Sequence, residues 1–319
     1  MASTPIIIFG AAGFAALDAA SQAEFSKILQ ANSVKDIDTA NLYSGSEAAL
    51  GTQGWPKNFT IHTKAPGFQR GCLKKQSVLD GMEKSLTNLG LGSVETYFLH
   101  SPDPDTPIEE TLSTISELYE AGKFKHFGLS NFKPEHVQEI YDIQQSNGKV
   151  LPTVYQGNYN AAARHIESDL FPVLRKLKIS FYAYSPIAGG FLVKSAKSLR
   201  AGTDVGRFAE GAPAAKLYNS LYRKESMLDA LDEWEAIANG LGISKVALAY
   251  RWVTFNSALN ASLGDGVILG ASKASQLKES LAAFKDGPLD AETVKKIDGF
   301  WMKVEKDAPY DNYSTFIKQ

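Results

Sequence analysis

Short runs of β-branched and aromatic residues alternate along the chain with longer stretches in which apolar positions recur every three or four residues. The first pattern reads as buried strands, the second as amphipathic helices. Strands are predicted at 6–10, 35–39, 60–65, 96–100, 126–130, 153–156, 181–184 and 266–270. Helices are predicted between them at 21–31, 46–50, 73–89, 108–120, 134–145, 167–177, 226–241 with 245–255, and 276–284, with a last one at 291–306. Eight strand and helix units without a break in composition predict a parallel α/β sheet in one domain over 1–319, and eight is the count that closes into a (β/α)8 TIM barrel. An open doubly wound sheet is the competing architecture. The first strand, however, leads into Gly10-Ala-Ala-Gly13 rather than a G-x-G-x-x-G turn, and no P-loop occurs. The segment 194–222 is rich in small residues and weakly periodic, which predicts an active-site loop, and 291–319 predicts a C-terminal helix and tail.

Composition narrows the partners. A net charge of −2 with neither a polybasic face nor an acidic tail argues against nucleic acid. The single cysteine, Cys72, excludes an internal disulfide framework and a thiolate metal cluster, and fits a reducing compartment. The apolar run near the N-terminus has no basic residues before it, and no stretch approaches the ~20 apolar residues that span a bilayer. A soluble, cytoplasmic protein is the expectation.

In a barrel of this kind the active site lies where the strands end. The second predicted strand runs into Asp38-Thr-Ala-Asn-Leu-Tyr43, the third ends at Lys64, the fourth at His100, and the fifth at Ser130-Asn131. The later ones end at Gln156, at Tyr184-Ser185 and before Ser272-Lys273. Each residue alone has an ordinary explanation: a solvated lysine, a structural histidine, an aspartate that caps a turn. A carboxylate, a phenol, an amine and an imidazole delivered to one rim by three successive strands is a rarer set. A phenol ionises near about pH 10, so it donates a proton at neutral pH only with help. Lys64 would stabilise the developing phenolate of Tyr43, Asp38 would hold Lys64, and His100 would hydrogen-bond a carbonyl oxygen. The five histidines, at 62, 100, 126, 136 and 165, lack metal-ligand spacing, so no metal is expected. A nucleophile elbow is also missing, and a barrel hydrolase or isomerase would need a metal or a carboxylate base.

The segments DTANLY (38–43), IHTK (61–64), YFLH (97–100) and GLSN (128–131) resemble the motifs of the aldo-keto reductase superfamily. Residues 155–192, VGRF (205–208) and 264–289 are similar to the aflatoxin aldehyde reductase family, so the resemblance spans nearly the whole chain. It implies a barrel that binds NADPH and reduces aldehydes and ketones, with the catalytic tetrad Asp38, Tyr43, Lys64 and His100 and with Tyr43 as the acid. Asp38, Ser130, Asn131 and Gln156 would border the nicotinamide, and Tyr184 would stack on it. Ser185, Pro186, Ile187, Gly189, Gly190 and Leu192 would wrap the pyrophosphate. Arg207, Gly270, Ser272, Lys273, Gln276, Glu279 and Ser280 would lie near the adenosine and its 2′-phosphate, and basic residues there favour NADPH. A homodimer is the family expectation. A slow, nicotinamide-binding regulatory subunit is the alternative from the same superfamily, and a partner-binding extension would mark it.

Departures from the family pattern bear on substrate. Ser280 replaces a usual asparagine. Relatives that take succinic semialdehyde carry an arginine three residues after the tyrosine matching Tyr218, and another at the C-terminus. Here Leu221 and the arginine-free tail DNYSTFIKQ stand in those places, with Arg223 two residues further on. An unpaired carboxylate in a closed site is costly, so the prediction is a neutral, possibly aromatic, small-molecule carbonyl substrate. Its pocket would be formed by His100, Phe14 and Tyr218, with Trp55, Phe68 and Tyr310 nearby.

Overall fold

The computed structural model describes residues 4–212 and 214–317. All eight predicted strands are present, paired in parallel and in chain order around one closed barrel. They are β1 (Ile6–Gly10), β2 (Asp36–Asp38), β3 (Thr60–Lys64), β4 (Val94–Leu99), β5 (Phe124–Ser130), β6 (Pro152–Asn158), β7 (Ser180–Tyr184) and β8 (Gly266–Leu269). β1 and β8 close the ring in a register running from Ile6 opposite Gly266 to Phe9 opposite Leu269. The helices are α1 (Ala19–Ala31), α2 (Ser46–Thr52), α3 (Lys75–Leu89), α4 (Ile108–Glu120), α5 (Pro134–Ser146), α6 (Leu170–Lys176), α7 (Ala196–Ala201), α8 (Ala215–Tyr222), α9 (Glu225–Gly240), α10 (Lys245–Arg251), α11 (Ala274–Ala283), α12 (Ala291–Val304) and α13 (Asn312–Ile317).

The two-residue period of a strand sorts side chains between the barrel interior and the layer under the helices. On β3, Lys64 bonds to Asp38 across the interior, and His62 bonds to Asp36 and Thr96. The intervening Thr63 turns outward and bonds to Glu47 on α2. Apolar side chains of the same strands and of the helices fill the rest, among them Leu29, Ile37, Leu99, Phe127, Ile140 and Phe181, all fully buried. Among the described residues no helix is long and apolar enough to cross a membrane.

Three stretches differ from the prediction. Helix 245–255 ends as an α-helix at Arg251 and continues as a wide π-turn, Trp252–Asn256, which buries Trp252 and Val253 completely. The stretch 194–222 is more than a loop, since it holds α7, a single turn at Gly206–Phe208 and α8. These pieces are too short to establish a helical period over a window of 11–18 residues. The tail folds too, into α13 after α12, and Lys318 and Gln319 of that prediction lie outside the described residues.

Candidate active site

Asp38 and Lys64 are the last residues of β2 and β3, and His100 directly follows β4, so strand pairing alone brings them to one rim. Tyr43 sits in the turn between β2 and α2. There its N–H donates to Ala40 O (3.0 Å) and its carbonyl accepts from Ser46 N (3.0 Å). The Ser46 hydroxyl pins the start of α2 to both neighbouring strands, donating to Ala11 O (2.7 Å) and meeting the Thr39 hydroxyl (2.9 Å).

The Lys64 ammonium is fully buried and donates to Asp38 Oδ1 (2.6 Å), Asp38 Oδ2 (2.7 Å) and Thr39 O (2.8 Å). Burial pushes its pKa down, and the Asp38 carboxylate, then Glu47, push it back up. It stands 5.2 Å from the centre of the Tyr43 ring. The Tyr43 phenol is held above its ordinary range by burial and then by Asp38, while Arg207 acts the other way. His100 meets the Tyr43 ring edge-on at 5.7 Å and the Phe68 ring at 5.1 Å. Burial, and next the Lys64 charge, hold its pKa well below 6.5, and its buried Nδ1 has no hydrogen-bond partner. A neutral imidazole between a phenol and a buried ammonium is suited to binding a polarised oxygen.

The remaining strand-end residues border the same floor. Ser130, Asn131 and Gln156 are buried. Gln156 Nε2 donates to Asp38 Oδ1 (2.8 Å). Asn131 Nδ2 donates to His100 O (2.9 Å) and Ser130 Oγ (3.0 Å), and its Oδ1 accepts from the Tyr184 hydroxyl (2.8 Å). Asn131, Ser185 and Ala188 take left-handed backbone angles (φ 63°, 55° and 53°), as does Phe68 (φ 62°). Of the six non-glycine residues with positive φ among the described residues, these four lie in loops leaving β3, β5 and β7 at this rim. Strain of this kind persists only where the surroundings fix it, and it gathers at functional sites. Pro186 and Leu192 are buried, whereas Ile187, Gly189 and Gly190 are partly exposed. Gly189, with φ 66°, lies directly under the Tyr218 ring, where an added Cβ would stand 1.9 Å from a ring carbon.

At the far end, Gly270, Ser272, Lys273, Gln276 and Glu279 are exposed at the start of α11, while Ser280 is buried. Gln276 Oε1 accepts from both the N–H and the hydroxyl of Ser272 (3.0 Å each). Arg207 is not joined to this group by a hydrogen bond. Its Nη1 donates to the Tyr218 hydroxyl (2.8 Å), with the guanidinium 5.0 Å above the Tyr218 ring.

Two expectations for the pocket change. Phe14 packs edge-on against Trp55 at 4.5 Å, and both are buried in the core, so neither is a pocket wall. Leu221 is also fully buried, and Arg223 reaches for Arg200 O (3.4 Å) on the exterior. Phe68 does reach the site, its N–H bonded to the Ser101 hydroxyl (2.9 Å) and its ring 5.8 Å from Tyr313 of α13. Sequence reasoning missed two contributors. One is the tail at Asn312 and Tyr313, whose Asn312 N–H donates to the Tyr184 hydroxyl (3.3 Å). The other is Glu47, a buried carboxylate behind β3. A six-residue helix and a lone glutamate in a helical pattern carry no distinctive signal.

The sequence model of the Aldo/keto reductase family matches residues 6–302. The chain is 40% identical to Oxidoreductase sirO of Leptosphaeria maculans over 318 residues, which covers 96% of each protein. It is 38% identical to Aflatoxin B1 aldehyde reductase member 2 of Homo sapiens over 287 residues, 86% of this chain and 80% of that one. The human protein Aflatoxin B1 aldehyde reductase member 4 is 37% identical over 306 residues, 92% of each. With a match over nearly its whole length, closed by the barrel just described, this chain belongs to the aldo/keto reductase family.

Proposed function

We propose that this oxidoreductase reduces a neutral or aromatic aldehyde or ketone to the alcohol, with NADPH as reductant and Tyr43 as the proton donor. One observation carries the reading: a buried ammonium, Lys64, clamped by Asp38 beside Tyr43 and facing a neutral His100 with an unpaired ring nitrogen. The donor set suits a nicotinamide nucleotide. Both N–H groups of the Asn131 amide are spent on His100 and Ser130, but its oxygen has taken only the Tyr184 proton and can accept one more from a carboxamide. Ser130 and Gln156 flank it, and the Tyr184 ring offers a flat face. Gly189 and Gly190 let backbone approach a pyrophosphate closely, once Tyr218 moves off Gly189. Arg207, Ser272, Lys273, Gln276 and Glu279 serve the adenosine end, and Arg207 and Lys273 supply the positive charge that favours a 2′-phosphate.

When bound, NADPH supplies a hydride to the carbonyl carbon. The protein does the rest. His100 hydrogen-bonds the carbonyl oxygen and polarises it. Tyr43 gives that oxygen its proton, and Lys64 stabilises the phenolate left behind while Asp38 holds the ammonium in place. Phe68 and Tyr218 wall the substrate, and a cytoplasmic location with its reduced nucleotide pool suits the reaction. Following NADPH absorbance with a panel of aldehydes and ketones tests this reading. Tyr43→Phe is expected to lower kcat by at least about a hundredfold while the Kd for NADPH is unchanged. A parent protein that oxidises NADPH with no carbonyl compound refutes the activity, and an active Tyr43→Phe refutes the donor.

A further inference from the structure

We propose that Glu47 is a positioning residue for the proton donor: from the first turn of α2 its buried carboxylate, held by Thr63, braces Lys64 from behind β3, on the side of the strand away from Asp38. This rests on the reading of Lys64 and Tyr43 given above.

The geometry begins at β3. Thr63 precedes Lys64 and points the opposite way, out of the barrel, where its hydroxyl donates to Glu47 Oε1 at 2.6 Å. Glu47 is 3% exposed. Other buried carboxylates in the described residues are visibly compensated. Asp38 has Lys64, Asp265 has Arg175, Asp103 accepts from Gly71, Leu73 and Asp105 N–H groups, and Asp311 from Ser314. No cation among the described residues lies within ion-pair distance of Glu47. Burying a carboxylate on one hydroxyl bond is unfavourable, and a fold that needed only packing there would be served by glutamine or leucine.

What Glu47 acts on follows from what surrounds it. Ser46, beside it, is tied to Thr39, the residue after Asp38 whose carbonyl accepts from Lys64. The first turn of α2 therefore touches the chain next to Asp38 through Ser46 and the chain next to Lys64 through Thr63, with the Tyr43 turn strung between them. Around Lys64 stand Asp38 from β2, Tyr43 from the turn, His100 after β4 and Glu47 from α2. The charge of Glu47 is also felt by Tyr97 on β4, and Arg207 and Tyr218 of the 194–222 segment act electrostatically on Tyr43. Of these, Asp38 and Glu47 are the groups that favour the charged form of Lys64, and burial is what opposes it. Removing the Glu47 charge lets burial prevail at a lower pH.

Glu47→Gln keeps the shape and the Thr63 contact and removes the charge. Its kcat/KM against pH is expected to lose activity on the alkaline side about one pH unit earlier than the parent, with the Kd for NADPH within twofold. Glu47→Asp, which keeps the charge, is expected to restore most of that limb. A purely structural glutamate would change the melting temperature and leave the pH limb where it is. A Glu47→Gln profile superimposable on the parent, or one displaced upward, overturns the proposal. If Glu47→Gln does not fold, Glu47→Leu, also uncharged and suited to a buried site, is expected to move the limb downward by a similar amount, and an unmoved limb overturns the proposal equally. If the parent reduces no carbonyl compound, the activity reading fails. The ammonium of Lys64 is then titrated by 15N NMR in parent and Glu47→Gln, where an unchanged midpoint overturns the role of Glu47.

Discussion

The side-chain amide of Gln156, on β6, donates to Asp38 Oδ1 at 2.8 Å, the oxygen that also takes a hydrogen bond from the Lys64 ammonium. Asp38 thus ties three strands, β2, β3 and β6, to one buried charge. Asp38→Asn keeps the bond capacity for Gln156 and removes the counter-charge. Breaking a buried pair by neutralising one partner strands the other, at a cost of about 3–5 kcal/mol. Urea unfolding at neutral pH is expected to show a loss of that order, with kcat reduced in the same variant. A loss under about 1 kcal/mol, the size of a surface ion pair, would show that the pair is not the buried clamp described.

His100 makes a prediction about acid stability. Its folded pKa lies well below 6.5, because burial and Lys64 oppose protonation. The unfolded chain takes up that proton near 6.5 and the folded chain does not. Stability is therefore unaffected above pH 6.5 and falls as pH drops through 6.5 toward the folded value, by about 1.4 kcal/mol per pH unit. His100→Gln, which cannot titrate, is expected to flatten that part of the curve in melting experiments between pH 7.5 and 5. A parent curve that is already flat there would mean the imidazole is not held neutral.

Arg207 stacks on Tyr218, and its charge is felt both by Tyr43 and by Tyr250, which lies beside Ser280 and Gly270. Its charge thus links the Tyr43 end of the rim to the α11 end, where the proposed nucleotide would lie. Arg207→Ala is expected to weaken NADPH binding by about tenfold or more, the worth of a hydrogen bond to a charged group, and to weaken NADH binding less. Fluorescence titration with both nucleotides separates the cases. Equal losses would assign Arg207 to the pyrophosphate, and no loss for either would leave it as a partner of Tyr218 only.

How much of this was legible in the sequence depended on the range of the interaction. β1 and the meeting of Asp38, Tyr43, Lys64 and His100 at one rim were readable because a short apolar run followed by a polar residue is a local pattern, and parallel closure then converts strand ends into neighbours. Phe14 and Trp55 were misplaced because an aromatic residue in a loop looks the same whether it faces a pocket or another ring. Their burial comes from core partners that include each other, across 41 positions of chain, and Phe9 and Phe59 beside Trp55. Glu47 was invisible for the same reason: a glutamate in a seven-residue helix reads as surface until Thr63, 16 positions away, is brought against it. The helices inside 194–222 run for six and eight residues, too few for periodicity to separate them from a loop.

Leu221 carries the prediction about substrate. The family resemblance implies an arginine at this position in relatives with carboxylated substrates, where this chain has leucine. The structure adds that the side chain is fully buried, and that Arg223, two residues further on, donates to Arg200 O on the exterior. The wall facing His100 is aromatic instead, with Phe68 against His100 and Tyr313 against Phe68. A benzaldehyde without a carboxylate is therefore expected to have kcat/KM at least about tenfold above its 4-carboxy counterpart, since an unpaired charge buried beside those rings costs more than 1.4 kcal/mol. Arg207, besides Lys64, acts on Tyr43, which gives the comparison a second arm. If the carboxylated aldehyde is turned over equally well and Arg207→Ala selectively removes that activity, Arg207 anchors substrate and the preference for neutral carbonyls is wrong. If the neutral aldehyde leads in both proteins, the aromatic wall sets the preference.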